Sequence, residues 1–340
     1  MAFGCGGHQF QRAPLALRAQ QMRGRGAVRS MRGSIQPRAA DDEASKIDIS
    51  LAEVERGARI GQGNFGEVFE GKWQGKRVVL KSKKSGLRVG LLGFREEVFR
   101  NEAAIARRLG SNKGVVPFLG VAGADAYLVW EYEGKVTLAD VMKSKNCLKD
   151  LARMMKVRGD GAAVKTFAKK LLGALKQIHG TGVVHRDVKP ANILITDKGD
   201  VRLIDLGACA DLRTGTNFSQ DEGFLDPLYG PPEQTLGFSG GLFGWAKSKP
   251  DLFDSYSAGL VILQLACPGL RNDGALRTLR KTLGKQPLMA WRHNYNGKES
   301  DLELLNENGG KAWDLLTQLI APKDKRKSVG SALNHPWLLF

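Results

Sequence analysis

The feature that most constrains this chain is a glycine cluster followed by the wrong kind of sequence for a helix. Gly61-Gln62-Gly63-Asn64-Phe65-Gly66 has the spacing of a phosphate-binding turn. Alone, it fits a dinucleotide-binding βαβ unit, a phosphate-covering hairpin or a plain surface turn. The dinucleotide unit needs a helix directly after the glycines and an acidic residue about 20 positions further on. Here the glycines lead instead into Val68-Phe69-Glu70-Gly71-Lys72-Trp73 and then Val78-Val79-Leu80-Lys81, both strand-like. Strand, glycine turn, strand is a hairpin whose backbone can close over phosphates.

The rest of the chain changes character along its length. Residues 94–109 have helical period, with Phe94, Val98, Ile105 and Leu109 on one face. Tyr127-Leu128-Val129-Trp130 reads as another strand, and from about residue 137 the patterns are mainly helical. Strands first and helices later predict an α+β chain of two segregated lobes. At 42% hydrophobic and 26% charged residues the composition is that of a globular protein. No stretch approaches the roughly 20 apolar residues of a membrane-spanning helix. The four cysteines, Cys5, Cys147, Cys209 and Cys267, lie too far apart in sequence to suggest a metal-ligand cluster or a disulfide scaffold.

His185-Arg186-Asp187-Val188-Lys189-Pro190-Ala191-Asn192 is followed thirteen residues later by Asp205-Leu206-Gly207, then by Pro231-Pro232-Glu233 and by Asp254. In this order and spacing, with the glycine hairpin and Lys81 ahead of it, the set resembles the eukaryotic protein-kinase superfamily over roughly residues 54–340. The resemblance implies a bilobal α+β kinase fold, with a small mainly β lobe carrying one regulatory helix over about 54–131 and a larger mainly α lobe over about 134–340, ATP and Mg²⁺ as cofactors, and transfer of the γ-phosphate to a protein hydroxyl. Phosphoryl transfer passes through a loose transition state, so such an enzyme works by positioning and charge neutralisation. By resemblance, Ile60, Gly61, Gln62, Gly63, Asn64, Phe65, Gly66 and Val68 cover the nucleotide. Val79 tightens the adenine roof, Leu194 forms its floor, Glu131 and Tyr132 are the hinge, and Lys81 holds the α- and β-phosphates.

The expected partner of Lys81 is a helix carboxylate, from Glu96, Glu97 or Glu102. At 100° per residue the apolar face is centred about 40° from Glu102, about 100° from Glu97 and about 160° from Glu96, which selects Glu102. Asp187 is implied as the residue that accepts or orients the substrate hydroxyl proton, with Asn192 and Asp205 as Mg²⁺ ligands. Lys189 stands where Ser/Thr-directed members carry lysine to contact the transferring phosphate, so the acceptor is expected to be Ser or Thr. His185 is expected to be scaffold, and Glu233 a structural anchor paired with Arg326 or Arg271. Thr214, Thr216 and Ser219 lie in the implied activation segment, where a phosphate could pair with Arg186. A catalytically silent scaffold is the competing reading; it is disfavoured because Lys81, Asp187, Asn192 and Asp205 are all present.

Some positions depart from the commonest kinase pattern. Leu206 replaces the usual Phe after the metal aspartate, Trp130 stands at the gate behind the adenine site, and Asp226 takes the place of a Thr that often precedes the substrate-binding loop. A narrower resemblance is carried by Ile204-Asp205-Leu206-Gly207-Ala208-Cys209-Ala210-Asp211-Leu212-Arg213-Thr214-Gly215-Thr216-Asn217-Phe218, by Leu225-Asp226-Pro227-Leu228-Tyr229-Gly230-Pro231-Pro232-Glu233 and by Pro250-Asp251-Leu252-Phe253-Asp254-Ser255-Tyr256-Ser257. These resemble the thylakoid Ser/Thr kinases of plants and green algae, the state-transition and photosystem II core kinases. The implied substrates are light-harvesting or photosystem II proteins at the stromal side of the thylakoid membrane. Without a membrane-spanning segment, contact with that membrane is expected to be peripheral. Candidate contacts are Lys81, Lys83 and Lys84, then Lys165, Lys169 and Lys170, then Lys323, Lys325, Arg326 and Lys327, with the segment from Gly240 to Trp245 as a possible apolar foot. Cys209 reads as a buried small hydrophobe, with a redox handle as the alternative.

The net charge of +17 divides along the chain. Seven arginines (Arg12, Arg18, Arg23, Arg25, Arg29, Arg32 and Arg38) and no acidic residue occupy the first forty positions. Such a leader reads as an organelle transit peptide, with a basic arm that touches nucleic acid as the alternative; composition alone does not separate plastid from mitochondrion, and it is the resemblance to the thylakoid kinases that implies a chloroplast transit peptide over residues 1–40. The remaining charge suits an enzyme that handles phosphates, and no nucleic-acid partner is expected.

Overall fold

The computed structural model describes residues 48–62, 66–83, 92–123, 126–215, 226–235 and 249–339. The expected leader, Gly63, Asn64, Phe65, Lys84, Thr216, Ser219 and the glycine-rich segment 237–244 with Trp245 lie outside the described residues.

A six-stranded sheet forms the first lobe, in the order β1-β5-β6-β4-β3-β2. Its strands are β1 (Asp48–Ile49), β2 (Val54–Gln62), β3 (Gly66–Trp73), β4 (Lys76–Lys83), β5 (Phe118–Ala122) and β6 (Tyr127–Glu131). β1 precedes the expected start of the lobe and pairs parallel with β5, burying Ile49. The β3–β4 turn is two residues long between paired Trp73 and Lys76, and Gln74 and Gly75 both have positive φ, as a tight hairpin of matching twist requires.

Alternation along the strands sorts the side chains. Val78 and Leu80 of β4 join Ile49, Ala122 and Val129 in a small cluster on one face. Val79 and Lys81, which alternate with them, face the other way, into the cleft between the lobes.

Helix α1 (Leu92–Leu109) crosses that second face. Its buried side is Val98, Phe99, Glu102, Ala103, Ile105, Ala106 and Leu109, so one carboxylate shares the apolar stripe. Glu97 is exposed and Glu96 half-buried, so both lie off the buried stripe, although phase alone would make Glu96 the more exposed of the two.

The second lobe is mainly helical: α2 (Leu138–Lys143), α3 (Cys147–Met155), α4 (Asp160–Gly180), α5 (Leu252–Ala266), α6 (Asp273–Leu283), α7 (Leu288–His293) and α8 (Glu303–Ile320) among others. α5 is buried all round, so its polar members must be paired inside the protein. Sequence patterning did not separate out five short strands, among the described residues, that hold the cleft side of this lobe: β7 (Val136–Thr137), β8 (Val183–Val184), β9 (Ile193–Ile195), β10 (Val201–Leu203) and β11 (Ala210–Asp211). At two or three residues each, they are too short for period-2 alternation to register. β9 pairs antiparallel with β10, and β8 with β11, so the loops following β8 and β10 emerge side by side.

Candidate active site

Those loops carry the polar motifs. His185 to Asn192 runs between β8 and β9, and Asp205 follows β10. The loop hangs from a buried carboxylate on α5. Asp254 Oδ2 accepts the His185 backbone N–H and Oδ1 that of Arg186, each at 2.8 Å, and Oδ2 also lies 2.8 Å from His179 Nε2. Burial alone would raise its pKa, but the His179 contact and these hydrogen bonds bring Asp254 below the usual carboxylate value. His185 is fully buried and its ring is used up. Nδ1 accepts the Asp187 N–H at 3.3 Å, which leaves Nε2 protonated and donating to the Ile204 carbonyl at 3.2 Å. His185 is thus scaffold, as expected. Arg186 and Asp205 both sit at φ 63°, a left-handed conformation costly to residues with a Cβ, and they flank the cleft.

Asp187 is the centre of the loop. Its Oδ2 accepts from Asn192 Nδ2 at 2.7 Å and pairs with Lys189 Nζ at 3.0 Å. Its Oδ1 is buried and has no hydrogen-bond partner. Asp187 lines the cleft, and of its two oxygens Oδ1 is the one left without a hydrogen-bond partner. Burial raises the Asp187 pKa against the opposing pull of Lys189, which favours proton acceptance. Lys189 also lies 3.5 Å from Asp226 Oδ2, and these carboxylates, outweighing burial, raise its pKa.

Opposite, Lys81 Nζ lies 2.8 and 2.7 Å from the two Glu102 oxygens and 2.8 Å from Asp205 Oδ1. Glu102 is only 1% exposed, so the pair is dry, and helical phase chose the right carboxylate. Glu96 instead pairs with Lys83 at 3.1 Å on the surface side. Burial works against the charge on Lys81, yet Asp205 and Glu102 raise its pKa well above the ordinary lysine value. Burial raises Glu102, while Lys81 lowers Asp205 despite burial. Gly66 is required by close packing, because a Cβ there would collide with the Ser82 carbonyl on β4.

Between these clusters lies a cavity of about 590 Å³. Ile60, Gly61, Gln62, Val68, Val79 and Leu194 line it, together with Glu131, Lys81, Glu102, Asp187, Lys189, Asn192 and Asp205. Trp130 closes its inner end, only 9% exposed and packed edge-on against Phe118 with ring centroids 4.8 Å apart. Glu133, Gly134, Lys135 and Thr137 also line the cavity and were not singled out from the sequence, where nothing but their place after Glu131 and Tyr132 marks them. Tyr132 does not line it with its side chain. Its ring takes the Arg77 guanidinium at 3.8 Å, and Arg77 also pairs with Glu70 at 3.2 Å.

The protein kinase domain family matches residues 54–338. The chain belongs to that family. It is 34% identical over 311 residues to the serine/threonine-protein kinase STN8, chloroplastic, of Arabidopsis thaliana, covering 80% of this chain and 62% of that protein. It is 33% identical over 328 residues to the serine/threonine-protein kinase STN7, chloroplastic, of the same plant, covering 83% of this chain and 56% of that protein. The chain thus spans about three-fifths of the length of these curated relatives. A crystal structure of a Stt7 homolog from Micromonas algae, soaked with ATP, superimposes with a TM-score of 0.75 at 30% identity, covering 93% of this chain and 98% of that one.

Two further expectations for this kinase fold are resolved, and one is corrected. Glu233 pairs with Arg326, at 2.6 and 3.2 Å, while Arg271 bonds the Leu265 carbonyl instead. Cys209 is fully buried and its thiol is pushed well above the ordinary range by burial, which fits the small hydrophobe and not the redox handle. The correction concerns the basic clusters proposed for membrane contact. Lys81 is buried in the cleft and the Arg326 side chain is 0% exposed, so neither is available to a surface. Thr214 is exposed in the turn after β11, and Arg186 is buried with its Nε on the Ala208 carbonyl.

Proposed function

We propose that this protein is a chloroplast serine/threonine protein kinase that binds ATP in the cavity between its lobes and phosphorylates proteins at the stromal side of the thylakoid membrane. The observation that carries the chemistry is the single unpartnered oxygen of Asp187. That loop has its other acceptor occupied, its histidine saturated and its backbone fixed by Asp254, so Oδ1 is preset to receive a substrate hydroxyl proton. Lys189 would meet the transferring phosphate and Lys81 the α- and β-phosphates, with Glu102 holding Lys81 in place.

The residues present fit Mg²⁺. Asn192 spends its amide nitrogen on Asp187, which leaves its oxygen without a protein partner among the described residues, and Asp205 contributes a carboxylate beside it. Oxygen donors of this kind suit a hard cation, which when bound would neutralise charge on the phosphates. In this reading Ile60, Val68 and Val79 cover the adenine, Leu194 supports it, and backbone groups at Glu131 to Glu133 meet its edge.

The chloroplast assignment and the thylakoid substrates, light-harvesting or photosystem II proteins, rest on the relatives and on the narrower motif resemblance. Among the described residues no helix is long and apolar enough to cross a membrane, which is consistent with peripheral membrane contact. The full chain incubated with labelled ATP, Mg²⁺ and isolated thylakoids should place label on threonine of membrane proteins, and Asp187→Asn should abolish it. Absence of transfer to any protein, including the kinase itself, would overturn the reading.

A further inference from the structure

Helix α3 (Cys147–Met155) and the turns at its two ends carry a charge pattern that the fold does not need. Residues 143–158 hold six basic side chains, Lys143, Lys145, Lys149, Arg153, Lys156 and Arg158, against one acidic side chain, Asp150. All six are exposed, while Cys147, Leu151, Ala152 and Met155 turn inward. At 100° per residue, Lys149 and Arg153 lie about 140° and about 180° from the centre of that buried side. Arg153 pairs with Asp150 at 2.7 Å, and Lys143 lies 4.0 Å from Asp140. The side chains of Lys145, Lys149, Lys156 and Arg158 make no hydrogen bond or ion pair to the described residues. Cations of the runs singled out from the sequence are more often spent, Lys83 on Glu96, and Lys170 on Asp200 and the Gly199 carbonyl.

Three local rules are broken in this stretch at once. Lys145 and Lys149 flank the N-terminus of α3, where the helix dipole favours anions, and its N-cap, Asn146, makes no side-chain cap bond. Lys149 and Arg153 stand four residues apart and repel along the helix, and Asp150 answers only Arg153. Lys156 takes the left-handed C-cap at φ 59°, where a glycine would be unstrained. Each choice costs stability, and together they leave a row of cations along a helix about 13 Å long. A pattern that the fold disfavours and that an anion would relieve marks a surface built for a partner. The partner that fits is extended and anionic, because long flexible stems on the outward side of an exposed helix read charge density and not sequence. We propose that this face of α3 seats the kinase on an anionic lipid surface. This deepens the peripheral-membrane reading above and moves that contact from the runs expected from the sequence to α3. The six-residue helix α2, which leads into α3, is capped by Thr137, a residue of the cavity wall, so a seat at α3 would hold the active site near the membrane.

The test uses the full chain with the seven leader arginines replaced by glutamine, so that the leader cannot itself bind vesicles. Co-sedimentation compares vesicles of phosphatidylcholine alone with vesicles that contain about 30% phosphatidylglycerol. This parent should partition onto the anionic vesicles at least about tenfold more strongly than onto the neutral ones, and less so as salt rises from about 50 to about 300 mM. Lys145→Gln, Lys149→Gln, Arg153→Gln and Lys156→Gln combined should lower that partitioning at least about tenfold without lowering the melting temperature. Lys145→Arg, Lys149→Arg and Lys156→Arg combined should bind as the parent does. A charge-matched control elsewhere on the surface, Lys169→Gln, Lys176→Gln, Lys325→Gln and Lys327→Gln, should stay within about threefold of it. Equal losses in the two glutamine variants overturn the proposal by reducing it to net charge, as does a parent that prefers neither vesicle. An α3 variant that stays on the vesicles but no longer phosphorylates thylakoid proteins also overturns it, by assigning the face to an acidic protein segment. Phosphorylation of a short threonine peptide in solution should be the same in all variants. A parent that transfers no phosphate to peptide, thylakoids or itself sinks the kinase reading, a failure separate from any in the vesicle assay.

Discussion

Two lysines in the same cleft each bridge a pair of carboxylates, and they are built to different ends. Lys81 lies 2.7–2.8 Å from Glu102 and Asp205, its side chain only 11% exposed and Glu102 drier still. Lys189 lies 3.0 and 3.5 Å from Asp187 and Asp226, and its side chain is 21% exposed at the cleft mouth. The first cluster joins β4, α1 and the loop after β10, so it ties the lobes together as well as holding a charge. The second joins two loops of one lobe that are anchored by other means. A buried ion pair broken on one side leaves an uncompensated charge, while a solvated one does not. Similar chemistry should thus couple to folding at one site and be nearly separable from it at the other.

The largest effect that would break this contrast is at Lys81. Lys81→Ala strands Glu102 and should destabilise the fold by about 3–5 kcal/mol while reducing transfer by about 10²- to 10³-fold, read by chemical denaturation and by phosphate incorporation. Next is Lys189→Ala, which should cost activity on a similar scale but at most about 1 kcal/mol of stability. Equal stability losses at the two sites would show the comparison to be wrong. The smallest effect is one of pH. The folded-state pKa of Lys81 is raised above its unfolded value, so the stability it contributes is fully present below the unfolded pKa, about 10.4, and is lost only as pH rises through the higher folded value. The stability difference between wild type and Lys81→Met should accordingly stay flat from about pH 7 to pH 10. A difference that shrinks across that window would mean that Lys81 is not held charged by its partners.

How much was legible in the sequence depends on the range of the forces involved. Glu102 could be chosen from helical phase because its burial is a property of one helix face. Asp187, Asn192 and Asp205 could be picked out as candidates through motif spacing, since the first two share the loop between β8 and β9 and the third follows the short β9–β10 hairpin. The pairing of Glu233 with Arg326, 93 residues apart, left two candidates open, because nothing local distinguishes Arg326 from Arg271 until α5 brings the Leu252 carbonyl against one of them. Arg326 and Lys81 were also counted with surface charge, since a basic run looks solvated until its members are seen to be buried.

The stack of Arg77 on Tyr132 has a mechanical consequence. Because Arg77 also holds Glu70, strands β3 and β4 and the first part of the interlobe connection are braced as one lever. Glu133, the next residue, is tied to the other lobe through Arg202 at 3.0 Å. Along the connection the change from one lobe's tie to the other's falls one residue ahead of Gly134, whose φ of 140° puts it beyond the reach of most other residues. The stretch left between a tie to one lobe and a tie to the other is thereby the single peptide that joins Tyr132 to Glu133.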